Sequence, residues 1–379
     1  MRKRILIMLL SFTCLLITAL PVNATNVSAK SAVLIECGNH EIAYAKNENA
    51  RLPMASTTKI MTALVVIENL PLDKEITIEP CMTGIEGSSI YLQVGETLTV
   101  CDLLYALLLE SANDAAVALA IATVGSVESF ADLMNKKATE LGLINTHFTN
   151  PHGLDDSDHY TTAYELALIS ACAMENEVFK EIASTYKKEI PLNNGEGCRV
   201  LVNHNRLLRS YEGADGVKTG FTKKCGRCLV SSATRDGVTL ICVTLNAPND
   251  WQDHKQLLDF GFSKYESVSL ATKGCYTVEL QLLGGEKSTL LAENKDDLSI
   301  TVERGSDNIY AVLESNRFLT APIRVGDCVA KIVYCRDGKK IAELPLFAKE
   351  GVKRLNYNKS FFERMFNNGK NQTSEILYR

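Results

Sequence analysis

Residues 53–64 read Pro-Met-Ala-Ser-Thr-Thr-Lys-Ile-Met-Thr-Ala-Leu, and they open a predicted helix that extends to residue 69. The residues that follow Lys59 are apolar nearly all round, which is typical of a helix in the centre of a domain. Residues three apart lie on one face of a helix, so Ser56 and Lys59 would present a hydroxyl and an amine together. The segment therefore predicts a buried central helix with a serine-lysine pair in its first turn.

The pair of Ser56 and Lys59 is suited to nucleophilic catalysis. A serine hydroxyl is a weak nucleophile until a base removes its proton. Lysine serves as that base when burial or a second cation lowers its pKa, and the N-terminus of a helix favours developing negative charge. Because Ser184 and Lys187 share the same spacing, the pair alone is a weak signal.

A second polar segment, Ser111-Ala112-Asn113, falls between two predicted helices. In such a loop, a hydroxyl and an amide can relay a proton and hold an acyl carbonyl. The tripeptide is common, so its value depends on its order relative to the other segments.

A third segment, Lys218-Thr219-Gly220, lies on a predicted strand. Lys218 would supply a second cation near Lys59, and Thr219 would supply a donor for a carboxylate. Gly220 would let a substrate backbone approach the strand closely.

The apolar pattern predicts an α+β domain over residues 30–265. Residues 31–46 contain two apolar runs around Gly38-Asn39, a tight-turn signal, and predict a β-hairpin. The predicted helices cover 57–69, 100–109, 113–124, 127–141, 162–174 and 251–263, and the later predicted strands cover 216–222, 228–233 and 238–245. Strands at both ends of a helical block predict a sheet built from the two ends of the domain.

The pattern changes after residue 265. Residues 268–352 contain short alternating runs separated by Gly, Asp and Asn, which predict a small all-β domain, a C-terminal β-sandwich. Residues 355–366 can be drawn as a helix with aromatic residues in one arc and charged residues opposite. Such a helix suits a membrane interface, so the tail 353–379 is a possible membrane anchor; the alternative is a helix that packs on the body.

Residues 1–29 have the three parts of a secretory signal peptide. Three basic residues at positions 2–4 precede an apolar run, which ends before Val22-Asn23-Ala24 and Val27-Ser28-Ala29, two small-residue cleavage sites. The run is short for a membrane span, which needs about 20 residues. We therefore expect cleavage rather than anchoring, and a protein exported to the extracytoplasmic face of a cell membrane.

Charge is unevenly distributed along the chain. The net charge of −5 combines +3 in residues 1–29 and +4 in residues 353–379, so the body between them carries −12. An acidic body argues against nucleic-acid binding, because phosphate contacts need a basic face. A basic tail on an acidic body suggests contact with an anionic surface.

The chain has twelve cysteines, of which Cys14 lies in the leader, so eleven remain. An exported protein in an oxidising medium normally pairs its thiols. Several of these cysteines, such as Cys242, lie inside apolar runs and are suited to be small core residues. We therefore expect free thiols in a reducing or anoxic habitat. Cys225 and Cys228 remain a candidate redox pair or half of a metal site.

Ser-x-x-Lys, Ser-x-Asn and Lys-Thr-Gly in this order resemble the motifs of penicillin-binding proteins and serine β-lactamases. Residues 104–120, 150–154 (Asn-Pro-His-Gly-Leu) and 218–230 look more specifically like the low-molecular-weight D-alanyl-D-alanine carboxypeptidases. The resemblance runs from about residue 31 to residue 352 and implies a β-lactamase-like sheet with a helical block. It also implies a peptidoglycan stem peptide ending in D-Ala-D-Ala as substrate, β-lactam antibiotics as inhibitors, and neither a metal nor an organic cofactor.

The resemblance implies a role for each motif residue. Ser56 would attack the carbonyl between the last two D-alanines of a stem pentapeptide, with Lys59 as general base. Ser111, Asn113 and Lys218 would complete the proton and charge network. The substrate would contact Thr219, Gly220 and Phe221, and the backbone N–H groups of Ser56 and Phe221 would form the oxyanion hole.

The chain departs from the family pattern in two places. Ala112 replaces the commoner glycine of the middle motif. Some relatives carry an arginine that helps bind the substrate carboxylate where this chain has Asn249-Asp250-Trp251, which leaves Thr219 as the candidate for that contact.

Two alternative functions stay open, a β-lactamase and a penicillin receptor that acylates without turnover. Glu165 could serve as a deacylating base of the β-lactamase type, but Thr162 and Glu165 are typical of a capping box at a helix start. His152 lies in a predicted turn rather than at a catalytic position.

Overall fold

The computed structural model describes residues 26–192, 197–306, 308–316 and 318–355. Most of the predicted signal peptide and nearly all of the predicted tail helix, 355–366, lie outside these residues. Within them the chain forms two compact units. The first unit ends at Thr234 and resumes over Leu240–Ser263, and the second comprises Arg235–Thr239 and the residues from Lys264 onward.

The elements up to Lys264 alternate between strands and a helical block. The strands are β1 (Ser31–Glu36), β2 (Ile42–Lys46), β3 (Glu75–Thr77), β4 (Thr97–Thr99), β5 (Lys187–Leu192), β6 (Gly197–Val202), β7 (Ala214–Thr222), β8 (Gly226–Arg235) and β9 (Val238–Leu245). The helices are α1 (Lys59–Asn69), α2 (Val100–Leu109), α3 (Asn113–Val124), α4 (Val127–Glu140), α5 (Ala163–Glu175), α6 (Glu177–Ser184), α7 (Leu207–Ser210) and α8 (Asp250–Lys264).

The main sheet has the order β2-β1-β9-β8-β7 and joins the two ends of the unit, as predicted. All six residues of β1 are buried, because the strand is covered on both faces. Val33 and Ile35 belong to the core of the helical block. Leu34 points the other way, where it lies against Gly261 of α8. The strand β7 forms one edge of the sheet.

The central helix was predicted to begin at residue 57, and this start is wrong by two residues. A 3₁₀ turn over Ala55–Thr58 precedes α1, which begins at Lys59. Ala55, the first residue of this turn, has a φ of 49° in the left-handed region, so the chain enters α1 through a tight turn. The first eight residues of α1 are buried, as the apolar pattern predicts.

α6 and the hairpin of β5 and β6 were not predicted from the sequence. These elements are short, and their apolar residues form no long periodic pattern. The two residues of the second serine-lysine pair lie in different elements, because Ser184 is the last residue of α6 and Lys187 is the first residue of β5. That pair therefore does not share a helical face.

The second unit is all-β, as predicted. Its strands are β10 (Tyr265–Ala271), β11 (Thr277–Leu283), β12 (Thr289–Glu293), β13 (Leu298–Glu303), β14 (Ile309–Ser315), β15 (Leu319–Thr320), β16 (Cys328–Arg336) and β17 (Lys339–Ala348). One sheet pairs β10 with β13, and a six-stranded sheet has the order β14-β16-β17-β12-β11-β15. Alternate residues of these strands, among them Leu280, Leu282 and Ile332, form a separate apolar core.

Residues 27–29 are part of the first unit, although the predicted domain boundary is residue 30. Val27 is buried, and its carbonyl accepts a hydrogen bond from Lys46 Nζ at 2.7 Å. The backbone N–H groups of Ser28 and Ala29 donate to the Asp253 carboxylate at 3.0 and 3.2 Å.

No single helix in the described part of the chain has both the length and the hydropathy of a membrane span. The pair α3 and α4 meets these criteria only when taken together, across a bend of 82°.

Candidate active site

Ser56 lies in the 3₁₀ turn at the start of α1 and is partly exposed. The turn packs against Gly153, whose φ is 86°. A Cβ atom at Gly153 would lie 2.0 Å from the carbonyl oxygen of Ala55. Only glycine therefore fits where the 150–154 loop touches the residue that precedes Ser56.

Lys59 is fully buried and its Nζ contacts three oxygen atoms. Ser56 Oγ lies at 3.0 Å, Asn113 Oδ1 at 2.7 Å and the carbonyl oxygen of His152 at 2.6 Å. The structure thus brings together the side chains of Ser56, Lys59 and Asn113, and it adds the main chain of His152.

The pKa of Lys59 is held well below its ordinary value, first by burial and then by the charge of Lys218, while Asp114 opposes the shift. Burial also lowers the pKa of Lys218 to about 7, against the opposing charge of Glu110. The site therefore favours a neutral amine at Lys59 next to a second lysine that titrates near neutrality.

The contacts of Lys59 determine which way its lone pair points. A neutral amine has two hydrogens and one lone pair. A backbone carbonyl and an amide oxygen can only accept, so the two hydrogens are donated to His152 O and Asn113 Oδ1. The lone pair is left for Ser56, whose hydroxyl can donate to Lys59 Nζ. This is the geometry that a general base requires.

The orientation of the Asn113 amide is set by its other end. Its Nδ2 donates to the carbonyl oxygen of Glu86 at 2.5 Å, so Oδ1 must face Lys59. The loop that carries Glu86 is held by the buried Asp114, which accepts from Ser89 Oγ at 2.6 Å and from Leu92 N at 3.1 Å.

The Lys218-Thr219-Gly220 segment forms the part of β7 next to Ser56. A Cβ atom at Gly220 would lie 3.1 Å from the backbone nitrogen of Ser56, so the strand and the turn are in close contact. Lys218 is fully buried, and its Nζ donates to the carbonyl oxygen of Thr219 at 3.0 Å. Thr219 is half-buried, and the side chain of Phe221 is exposed.

Ser111 lies two residues before Asn113, in the turn between α2 and α3. It is buried and has a φ of 61°. Within residues 26–192 and 197–306, no hydrogen bond joins the side chains of Ser111 or Thr219 to Ser56 or Lys59. In the described residues, these two hydroxyls therefore belong to segments that adjoin the site, but they make no hydrogen bond to the serine-lysine pair.

The predicted turn at residues 150–153 is confirmed, because Asn150 Oδ1 accepts from the N–H groups of His152 and Gly153 at 3.3 and 2.7 Å. The pKa of the His152 side chain is lowered to about 3, by burial and then by Lys59. Its ring is therefore neutral, and its contribution to the site is its carbonyl oxygen.

The predicted capping box at α5 is half right. Thr162 caps the helix and accepts from the N–H of Glu165 at 3.1 Å. The Glu165 carboxylate does not return the bond to Thr162. It accepts instead from the N–H groups of Ile144 and Asn145 and from Thr146 Oγ1. These three hydrogen bonds stabilise the carboxylate more than the single backbone N–H of the Thr162 cap would.

The eleven cysteines of the described chain are all free. Cys225 Sγ donates to Asp155 Oδ1 at 3.2 Å, and burial raises the pKa of Cys225 to about 11 and that of Cys228 to about 12. Protonated thiols are poor nucleophiles and poor metal ligands. Among the described residues, no group of three or more His, Cys, Asp or Glu side chains has metal-site geometry.

The stretch Asn249-Asp250-Trp251, where some relatives carry an arginine, leads into α8. A guanidinium is nevertheless close to it. Arg227 Nε lies 3.0 Å from Asp250 Oδ2, and Arg227 pairs with Phe221 across β7 and β8.

Comparison with known proteins gives matches to both units. Residues 18–249 match the family described as D-alanyl-D-alanine carboxypeptidase, and residues 265–354 match the C-terminal domain of penicillin-binding protein 5. The chain is 35% identical over 339 residues to the D-alanyl-D-alanine carboxypeptidase DacF of Bacillus subtilis, with 87% of each chain covered. It is 35% identical over 350 residues to DacC of Escherichia coli, covering 87% of this chain and 86% of the relative.

Solved structures agree with these matches. Penicillin-binding protein 5 from Haemophilus influenzae aligns with a TM-score of 0.67 at 31% identity, covering 87% of this chain and 99% of that chain.

Proposed function

This chain belongs to the D-alanyl-D-alanine carboxypeptidase family, and we propose that it uses Ser56 to release the terminal D-alanine from peptidoglycan stem pentapeptides. It is a serine-type D-Ala-D-Ala carboxypeptidase and a penicillin-binding protein of low molecular weight. β-Lactams inhibit it as they inhibit the family.

The observation that carries the proposal is the contact between Ser56 and Lys59. Lys59 Nζ lies 3.0 Å from Ser56 Oγ, and its hydrogens are taken by His152 O and Asn113 Oδ1. The lone pair is therefore available to take the proton of the serine hydroxyl, which makes the oxygen nucleophilic.

The reaction follows from this arrangement. Ser56 Oγ attacks the carbonyl carbon between the last two D-alanines while its proton passes to Lys59. The oxyanion is stabilised by the backbone N–H groups of Ser56 and Phe221, a contribution often worth about 3–4 kcal/mol. Lys59 returns a proton to the amine of the leaving D-alanine. A water molecule then hydrolyses the ester on Ser56.

The remaining motif residues surround this step. Asn113 holds Lys59, and Lys218 lowers the pKa of Lys59 through its charge. Ser111 would pass a proton towards the leaving group. Thr219 would donate to the substrate carboxylate, and Gly220 would let the peptide pair with the open edge of β7.

The environment of Glu165 argues against a β-lactamase of the type that uses a glutamate for deacylation. Its carboxylate already accepts hydrogen bonds from Ile144 N, Asn145 N and Thr146 Oγ1. A general base needs a free lone pair directed at water, and these donors occupy the Glu165 oxygens.

Labelling with a fluorescent penicillin tests the proposal. The wild-type protein should carry one adduct, found by mass spectrometry on the peptide that contains Ser56, and Ser56→Ala should carry none. Wild-type protein should also release D-alanine from diacetyl-Lys-D-Ala-D-Ala. Label that persists on Ser56→Ala would overturn the nucleophile. Fast release of hydrolysed penicillin would identify a β-lactamase, and acylation without D-alanine release would identify a receptor.

The enzyme acts on cell-wall peptidoglycan, which lies outside the cytoplasm. We propose that residues 1–24 are a cleaved signal peptide, because Val27, Ser28 and Ala29 make contacts that cleavage after Ala29 would remove. We also propose that the basic tail 353–379, with its charge of +4, brings the enzyme to an anionic membrane surface.

A further inference from the structure

A chain of buried hydrogen bonds runs from the 149–159 segment to the residue that precedes Ser56. His159 Nε2 lies 2.7 Å from Thr58 Oγ1, and Thr58 Oγ1 lies 2.8 Å from the carbonyl oxygen of Ala55. On its other side, His159 Nδ1 lies 3.0 Å from the backbone nitrogen of Thr149 and 3.3 Å from Thr149 Oγ1. His159 and Thr58 are both buried and lie 101 residues apart.

The direction of every bond in this chain follows from its first donor. The backbone N–H of Thr149 can only donate, so His159 Nδ1 must be an acceptor and carries no hydrogen. Burial lowers the pKa of His159 to about 4, so the ring is neutral and its one hydrogen is on Nε2. Nε2–H therefore donates to Thr58 Oγ1, and the Thr58 hydroxyl is directed to donate to the Ala55 carbonyl.

The acceptor at the end of this chain is a strained residue. Ala55 has a φ of 49°, which is unfavourable for a residue with a Cβ atom. The orientation of its peptide group sets the direction of the Ser56 N–H and the position of Ser56 itself. An element that fixes the Ala55 carbonyl thus fixes the nucleophile.

We propose that His159 is a positioning residue for the acylation reaction, which acts through Thr58 to hold the Ala55 carbonyl and so aims Ser56 Oγ at Lys59. The inference rests on the proposed role of Ser56 as the nucleophile. His159 contacts no substrate and takes no proton in the reaction. Its effect is on the rate of bond formation rather than on substrate binding.

Two substitutions test the hydrogen bonds at the two nitrogen atoms of the His159 ring separately. The amide nitrogen of glutamine can occupy the place of Nε2, so His159→Gln keeps the donation to Thr58 and loses the bond to Thr149. The amide oxygen of asparagine can occupy the place of Nδ1, so His159→Asn keeps the bond to Thr149 and loses the donation to Thr58. His159→Gln loses both contacts with Thr149 and His159→Asn loses only the one with Thr58, so a loss of stability alone would rank the two variants in the opposite order to the inference.

Stopped-flow acylation by a fluorescent penicillin then measures the binding constant and the acylation rate constant separately. We expect the rate constant of His159→Asn and Thr58→Val to fall about tenfold to a hundredfold, as a small misplacement of a reacting group does. His159→Gln should stay close to wild type, and all binding constants should be unchanged. The double variant Thr58→Val with His159→Asn should be no slower than either single variant, because both break the same chain.

Equal losses in His159→Gln and His159→Asn, or a loss confined to the binding constant, would overturn the inference. If His159→Asn does not fold, Thr58→Ser and Thr58→Val provide the same comparison, since only Ser keeps the hydroxyl; equal rates in that pair would also overturn it. The proposed function fails separately, when mass spectrometry of the wild-type adduct finds the penicillin on a residue other than Ser56.

Discussion

Lys59 Nζ lies 2.7 Å from Asn113 Oδ1, although 54 positions separate the two residues in the chain. The amide cannot turn round, because its Nδ2 donates to the Glu86 carbonyl. It therefore offers Lys59 only an acceptor. Together with the carbonyl oxygen of His152, this contact directs the lone pair of a neutral Lys59 towards Ser56.

Replacing Asn113 by aspartate should abolish that neutrality. A carboxylate next to Lys59 would stabilise the ammonium form, and its second oxygen would face the Glu86 carbonyl with no hydrogen to donate. We expect acylation by penicillin at neutral pH to fall about a hundredfold to ten-thousandfold, the range over which general bases contribute, and the deficit relative to wild type to shrink at higher pH. The measurement is the second-order acylation constant as a function of pH.

Asn135 provides a matched control for this substitution. Its amide bonds both the carbonyl and the N–H of Phe148, each at 2.8 Å, and it makes no contact with Lys59. Asn135→Asp should lower stability and leave the pH profile of acylation unchanged. A wild-type profile in Asn113→Asp would show that the amide does not control Lys59.

Acylation should depend on pH through two lysines with opposite signs. The lowered pKa of Lys59 means that its reactive neutral form increases as pH rises through that value. Lys218, with a pKa of about 7, loses its charge above neutrality, and with it a cation of the site. We therefore expect a bell-shaped profile with its falling limb near pH 7, measured as the acylation constant between pH 5 and 10.

Lys218→Gln should change both limbs. The falling limb should disappear, and the rising limb should move to higher pH because the second cause of the Lys59 shift, the charge of Lys218, is gone. Lys223→Gln, on the exposed turn after β7, is the control and should keep the wild-type profile. A rising limb that stays in place in Lys218→Gln would mean that burial alone sets the pKa of Lys59.

The sequence predicted the site through its side chains and missed what the main chain supplies. Ser56, Lys59 and Asn113 belong to the sequence motifs, and their side chains are in contact in the structure. The carbonyl oxygens of His152 and Glu86 complete the geometry, and neither could be found from sequence, because every residue carries such an oxygen. Only the close fit of the fold decides which ones point inward.

Local patterns also failed where long-range partners offered more hydrogen bonds. Glu165 was predicted to complete a capping box with Thr162, but its carboxylate binds three donors in the 144–146 turn instead. The observed start of α1 differs from the predicted one. The residue before Ser56, Ala55, has a left-handed backbone conformation, which cannot be predicted from an alanine in the sequence. The pairing of Thr58 with His159 joins two ordinary residues far apart in sequence, with no motif to mark it.

Gly153 should be among the least replaceable glycines of the first unit. A Cβ atom there would lie 2.0 Å from the Ala55 carbonyl oxygen, in addition to the strain at a φ of 86°. Gly84 has a similar φ of 70° with nothing within 4 Å of its Cβ position. Gly84→Ala should lower the free energy of unfolding by about 1–2 kcal/mol, and Gly153→Ala by about a further 1–3 kcal/mol from the overlap.

Urea unfolding measures the free energy of unfolding of the two glycine variants. The difference between the two values gives the cost of the overlap with the Ala55 carbonyl, apart from the cost of backbone strain. Gly153→Ala should also slow penicillin acylation, because the Ala55 carbonyl must move. Equal stabilities in the two variants would show that the 150–154 loop can retreat from the Ser56 turn.

The mature protein should begin at Thr25. Cleavage after Ala29 would remove the buried Val27 and the hydrogen bonds of Ser28 and Ala29 to Asp253, whereas cleavage after Ala24 keeps them all. The intact mass of protein secreted from a bacterial host distinguishes the two sites. A mature chain that begins at Lys30 would contradict the prediction.

The tail should bind anionic membranes through charge and aromatic side chains together. Residues 353–379 carry six basic and two acidic residues, and each basic residue near an anionic surface contributes about 1 kcal/mol. The mature protein should sediment with phosphatidylglycerol vesicles at low salt and lose much of this binding as salt is raised. A chain that ends at Leu355 should bind far less and keep its carboxypeptidase activity on a soluble peptide.

Two substituted tails separate charge from apolar contact. Lys359→Glu combined with Arg364→Glu should remove the binding that depends on salt, while Phe361→Ser combined with Phe362→Ser should remove the binding that survives high salt. Neutral phosphatidylcholine vesicles are the control surface, on which the charge variant should bind as the parent does. If the chain ending at Leu355 binds anionic vesicles as well as the full tail, contact with the membrane must come from elsewhere in the protein.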